Sequence, residues 1–528
     1  MIKAKNIIKY KITIFTTLLF IFSILFNQYY GYLGVQPIDS FFSFNSGYDV
    51  LNGYFPFKDY WTITGPLIDL SQGIFFKIFG VSWFSYVFHA SIFNSIFSIA
   101  TFYTFYKLKL DINYCFLYSI LLSILAYPSA GTPYVDHQSA YLSTIGVFCF
   151  ILALKTNKFF YWFLLPIIFA LAFFIKQTPT GYVFLTISFL SLIYFFCNFD
   201  IKRITFLFIG LFTSFLIFFL FLKIGEIPFK LFYQQYILFP LSLGESRLEF
   251  IFPIEFQRII LRFKLIHLSS LLMIIIAIKN IRKNYNYLGS NEFLIILSLL
   301  GLIFSLITHQ LMTINGMFIY FLIPILVGFS HIYSDKYFKK KKSVLYTLVA
   351  LSVLSTVYYS YKYINQRHFM DLHTANLKNA IDAKFLDKKL EGLKWLTPQY
   401  LNDPKKEMLS LKEAIEIIKK DKSKKAVVTD YQFISVILSS YDYSPSKYWY
   451  EFHVNPTKGQ KYFENYRNFF LSKIKENEIT KIYIVKSLIG FTDNNVLNDI
   501  LPNSCFIKKN LTDILTSYVL LECEDLKQ

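Results

Sequence analysis

The residues best suited to chemistry lie between Gln36 and Gly80, a polar-punctuated stretch in an otherwise apolar first third. It carries four carboxylates, Asp39, Asp49, Asp59 and Asp69, close to the ends of two apolar runs. Acids beside a bilayer core are costly and ask for a reason. Asp39 follows the first apolar run by a few residues, where it is placed either to act as a general base or to sit as a surface acid at the membrane boundary. Asp59, between Lys58 and the pair Tyr60-Trp61, either orients an acceptor or braces the loop through a salt bridge. Asp49 and Asp69 read as solvated or capping acids. Gly47, Gly53, Pro56, Gly65 and Pro66 break the stretch into short helices and turns.

Cations form the second set. Lys176 ends an apolar helix in FFIKQTPTG, where it either meets an anion or snorkels to the interface. Arg247, Arg258, Arg262 and Lys264 cluster within GESRLEFIFPIEFQRIILRFK. Arg258 and Arg262 share one face of a regular α-helix, as a phosphate clamp would want, although Glu245, Glu249 and Glu255 are there to neutralise them. A third set is the turn TPYVDHQ, in which Asp136 and His137 stand together at a helix start. They form a functional pair or simply cap the helix.

The elements that position these residues follow from composition. Of 528 residues 55% are hydrophobic, 20% aromatic and 16% charged, and the mean hydropathy is +0.43. That is a polytopic α-helical membrane protein. Apolar runs predict about eleven transmembrane helices, near 12–32, 83–106, 112–129, 139–155, 159–176, 180–198, 204–222, 264–280, 292–309, 316–334 and 343–362. They make a membrane domain over 1–363 with a first outer loop at 34–82. The opening MIKAKNIIKYK and its apolar run read as a retained helix rather than a cleaved signal, because the run is long and lacks a small-residue cleavage site.

Lysine-rich turns, from Lys3–Lys11 through Lys107, Lys155, Lys202, Lys279 and Lys339–Lys342, fall on one side. By the positive-inside rule that side is the cytoplasm, which also accounts for the net charge of +19. The N-terminus is then cytoplasmic, and the Gln36–Gly80 loop and the tail lie outside. The tail, 364–528, alternates helical runs with AVVTDY, KIYIVKS and SYVLLEC, which predicts a soluble α/β domain. No nucleotide loop, basic nucleic-acid groove, zinc spacing or internal repeat is present in the sequence. A Cys505–Cys523 disulfide is chemically permitted if the tail lies outside the cytoplasm.

The first loop resembles that of the GT-C glycosyltransferases, more narrowly the bacterial protein-mannosyltransferase-like and aminoarabinose-transferase-like families. The resemblance rests on Asp39 after the first helix, the run Gly53–Pro56–Phe57–Asp59, then Gly65–Pro66 and Phe79–Gly80, with YVDHQ and KQT further on. Many members carry a second acid directly after the first, where this chain has Ser40.

The resemblance implies an inverting transfer of a sugar from a polyprenyl-phosphate donor to a lipid, glycan or protein acceptor at the outer face of the plasma membrane. Asp39 would be the base. Lys176, Arg258 and Arg262 would hold the donor phosphate, and Asp59, Asp136 and His137 would support the acceptor or the loop. No cofactor is required, and a divalent ion on Asp39, Asp136 and His137 remains open. Alternatives of other kinds are a lipid-linked glycan flippase, an O-antigen polymerase or ligase, and an inactive scaffold. The near absence of charge inside the helices weighs against transport.

Overall fold

The computed structural model describes residues 2–247, 255–313, 319–338, 341–438, 443–447, 455–487 and 495–523. The chain opens with α1 (Ile2–Gly31) and three short helices of the first loop, α2 (Pro37–Ser40), α3 (Phe44–Leu51) and α4 (Pro66–Phe79). There follow α5 (Trp83–Lys107), α6 (Ile112–Leu125), α7 (Val135–Thr156), α8 (Phe159–Phe173), α9 (Thr180–Cys197) and α10 (Ile201–Ile224). After α11 (Phe229–Phe232) and α12 (Phe239–Arg247) come α13 (Lys264–Lys283), α14 (Asn291–Met312), α15 (Leu322–Tyr337) and α16 (Lys342–Ser360).

A helix overlaps every predicted span. Among the described residues, seven helical stretches are long and apolar enough to cross a membrane: Ile8–Gly31, Val135–Thr156, Thr180–Cys197, Ile201–Ile224, Lys264–Lys283, Asn291–Met312 and Lys342–Met370. α6 and α8, with 14 and 15 residues, are shorter than the roughly 20 that a bilayer core asks for. α5 is long but threaded with polar residues, and these face other helices. Ser95 and Ser23 hydroxyls meet at 2.6 Å, and Asn94 Nδ2 donates to the Ser123 carbonyl at 2.9 Å. Such pairs link α5 to α1 and α6 through hydrogen bonds rather than apolar contact alone.

Beyond α16 the chain runs as a strap of short turns rather than as a regular domain. Arg367 anchors it: the guanidinium is buried, donates to the Tyr30 carbonyl at 2.7 Å and lies 4.3 Å from the centre of the Tyr30 ring. The strap forms a small antiparallel pair, β1 (Ile381–Asp382) with β2 (Lys394–Trp395), and extends it onto the end of α1. Gly34 N donates to Lys394 O at 2.9 Å and Val35 N to Leu396 O at 2.8 Å.

The predicted strands appear in a four-stranded sheet ordered β3-β4-β6-β5, with β3 (Lys425–Thr429) parallel to β4 (Lys481–Val485). The edge strand β5 (Phe506–Asn510), exposed and bearing Lys508 and Lys509, pairs antiparallel with β6 (Leu515–Leu520). Around the sheet stand α17 (Pro404–Lys420), α18 (Ile434–Leu438), α19 (Phe463–Glu476) and α20 (Asn495–Ile500). Cys505 and Cys523 are joined as a disulfide across this end of the domain.

Loop and tail share one core. Phe41, Phe44, Trp83 and Tyr86 pack with Trp395, Phe433 and Tyr431 in a single apolar cluster, and the Phe41 and Phe433 rings lie 4.7 Å apart. Polar contacts fix the register: Trp61 N donates to Pro445 O at 2.7 Å, and Asn45 Nδ2 to Gln432 Oε1 at 3.0 Å. Lys447 enters the loop, ion-pairs with Asp49 and stands 4.9 Å from the centre of the Tyr60 ring. Both partners of that pair are buried, so removing either strands a charge. Asp49→Ala and Lys447→Ala should each destabilise the purified protein by about 3–5 kcal/mol, whereas the double substitution should lose clearly less than their sum. Thermal unfolding in detergent measures this, and full additivity would deny the pair its role.

Candidate functional site

Pro37 opens α2 at its first turn and places Asp39 in it, while Gln36 N donates to Ser40 Oγ at 2.9 Å. Asp39 is half-buried, enclosed by protein yet reachable. Burial pushes its carboxyl up to about 7, and the nearby Asp136 carboxylate adds to this; a hydrogen bond from Tyr134 and the Lys176 ammonium pull the other way. A carboxyl poised near neutral pH is suited to accept a proton from a reacting group.

Three further elements meet beside it. Asp136 stands in the first turn of α7, Lys176 just past α8, and His309 in the last turn of α14. Asp136 Oδ1 accepts from Lys176 Nζ at 2.7 Å and from His309 Nε2 at 2.5 Å, which assigns the imidazole proton to Nε2. Arg247, at the end of α12, lies within electrostatic reach of Asp136 and His309. The site therefore joins one poised carboxyl to a second carboxylate that faces two cations, Lys176 and Arg247, and an imidazole N–H.

The backbone is fitted to bring the loop to this place. Gly65 N donates to Ile175 O at 2.9 Å and Leu67 N to Phe174 O at 3.0 Å, directly before Lys176. A Cβ on Gly65 would stand 1.9 Å from the Phe174 carbonyl oxygen, so only glycine allows the approach. Gln177 Nε2 adds bonds to Ile63 O at 3.0 Å and Tyr236 O at 2.7 Å.

Other residues singled out by sequence fall elsewhere. His137 does not join Asp136 as a working pair, because consecutive helical residues point apart; its ring packs between Tyr134 and Tyr141 and faces the Tyr127 backbone. Asp59 braces the loop, its carboxylate accepting from Phe55 N at 2.7 Å, while Lys58 pairs with Glu226 at 3.1 Å. Asp49 and Asp69 are buried rather than solvated. Asp69 accepts from Ser46 Oγ at 2.6 Å and Tyr60 OH at 2.8 Å, and burial, partly offset by these donors, raises it to about 6.

Arg258 and Arg262 lie in and just after a π-turn rather than in a regular α-helix. Residues Gln257–Leu261 form this π-turn, in which Arg262 N bonds to Gln257 O at 3.0 Å, and positions four apart remain about one turn from each other. Arg258 is half-buried, and Arg262 is exposed and lies near Tyr320. Glu249 lies outside the described residues, and nothing is described of the Glu245 side chain. Gln235 is a brace as well, accepting from Thr62 N at 3.1 Å and donating to Phe57 O at 2.8 Å.

The donor set of Asp39, Asp136 and His137 does not fit a divalent ion. A lysine ammonium already sits on the Asp136 carboxylate and the His137 ring is turned among tyrosines, and among the described residues no group of three or more His, Cys, Asp or Glu side chains is placed to hold a metal ion. In comparisons with known proteins, the chain matches no family model and no curated protein. His309 is the member of the site that sequence reasoning left without a role; its only signal is the second His-Gln dipeptide, His309-Gln310, echoing His137-Gln138.

The raised carboxyl has a measurable consequence. Asp39 keeps its proton in the folded state to about pH 7, whereas in the unfolded chain it loses it near the ordinary value of 3.8. The unfolded state therefore binds fewer protons between those values, and stability falls as pH rises through that window. Infrared difference spectra should contain a protonated-carboxyl band that titrates near pH 7 and is missing in Asp39→Asn; a band that titrates near 4 would overturn the assignment.

Proposed function

We propose that this chain is an integral membrane glycosyltransferase of the GT-C type, with about eleven helices crossing the membrane. It moves a sugar from a polyprenyl-phosphate donor to an acceptor at the outer face. The observation that carries the reading is the half-buried Asp39 carboxyl, raised to about 7, beside the Lys176–Asp136–His309 group and Arg247. Such a site joins a base to a place for an anion, the two needs of phosphate displacement.

In the proposed reaction an acceptor hydroxyl or amine attacks the anomeric carbon and loses its proton to Asp39. The bond from that carbon to the phosphate oxygen breaks, and the electron pair leaves with the phosphate. Attack opposite the leaving group inverts the anomeric configuration. Lys176 and Arg247 would supply positive charge to the departing phosphate, and no step is routed through a metal. The Cys505–Cys523 disulfide supports an oxidising location for the tail, in line with lysine-rich turns facing the cytoplasm.

The test is donor consumption by purified protein in detergent, offered a panel of polyprenyl-phosphate hexoses and pentoses. Wild type should consume at least one, with a rate that rises with pH to a plateau above about 7. Asp39→Asn at matched folding should lose about a hundredfold or more. Equal consumption by both proteins would make Asp39 structural, and no consumption by wild type would overturn the reading.

A further inference from the structure

Asp136 accepts at a single oxygen from two donors, the Lys176 ammonium and the His309 imidazole N–H. The three differ in how firmly they are held. Asp136 and His309 side chains are 4% and 2% exposed and stand on α7 and α14, which pack together. Lys176 is 19% exposed, lies on the segment after α8 and has a long side chain that can swing. An anion arriving beside Asp39 competes with Asp136 for that ammonium. If Lys176 leaves, Asp136 becomes a buried carboxylate without its lysine, which is strongly unfavourable unless another group compensates.

We infer that His309 is a positioning residue: it holds Asp136 so that Lys176 can transfer from that carboxylate to the donor phosphate. The inference rests on the glycosyltransferase reading. The imidazole stays with Asp136 in both states and makes the ammonium exchangeable. The Asp136–Lys176 contact is then the resting position of a phosphate-binding lysine, and His309 sets how easily it is given up. Arg247 faces the same group from α12 and adds positive potential that favours the exchange.

The experiment measures kcat and KM for the donor that wild type consumes, in wild type, His309→Ala, His309→Gln, Asp136→Asn and the double variant Asp136→Asn/His309→Ala. His309→Ala should raise KM by roughly ten- to a hundredfold with a smaller change in kcat. His309→Gln, which keeps an N–H donor at similar reach, should recover most of the loss. In the Asp136→Asn background, where no carboxylate charge is stranded, removing His309 should change KM by no more than about twofold.

A merely structural histidine would lower kcat or the folded fraction and leave KM alone, or would add its full effect to Asp136→Asn; either result overturns the inference. If wild type consumes no donor, the glycosyltransferase reading falls and this inference falls with it. An active wild type with unchanged KM in His309→Ala defeats the inference alone. Should His309→Ala fail to fold, His309→Phe fills the ring volume without a donor and carries the same comparison.

Discussion

A charge taken out of water must meet a partner, and among the described residues several of those partners come from distant parts of the chain. Asp136 of α7 is met by Lys176 after α8 and by His309 of α14. Asp49 of the first loop is met by Lys447 of the tail, and Arg367 of the strap by the carbonyl and ring of Tyr30 at the end of α1. Glu407 of α17 is held by three donors, Trp395 Nε1, Thr397 Oγ1 and Tyr431 OH, at 2.9, 2.7 and 2.7 Å. Buried charges tolerate only specific geometry, so these pairs define which helix, loop and strand ends come together.

Asp39 is the instructive contrast. It lies in the same neighbourhood as Asp136 but has no direct ammonium contact among the described interactions; a tyrosine hydroxyl is its polar partner, and burial dominates. Two carboxylates side by side in different company are thereby given different tasks: one holds a cation, the other is free to take up a proton. The proposed glycosyl transfer uses this division. The cationic group stands for the leaving phosphate, and the poised carboxyl stands for the attacking acceptor.

The first loop and the tail form one structure rather than two. Their shared aromatic cluster, the extension of β2 onto the end of α1 and the Trp61–Pro445 bond make the loop's conformation depend on residues several hundred positions away. The close approach at Gly65 then fixes the loop against the residues preceding Lys176. The surroundings of Asp39 are thus a frame built jointly from the apolar helices and the C-terminal part of the chain.

The sequence by itself determined the helices, because a run of apolar residues needs only local hydrogen bonds and a greasy surface; each predicted span contains a helix. It determined three strands of the sheet as well, and it picked out Asp39, Asp136 and Lys176 as candidate site residues. It left β5 unseen, since an exposed edge strand carrying lysines has no apolar alternation. Tertiary structure alone decided the partners. His309 lies 173 positions from Asp136, and no local pattern can announce such a contact. Adjacent Asp136 and His137 looked paired in sequence, but successive residues on a helix diverge. Arg258 and Arg262 looked alike in sequence, but the folded chain leaves one half-buried and the other exposed. Charge and hydropathy are properties of residues and are legible in order; compensation of a buried charge is a property of places, and only the folded chain supplies those.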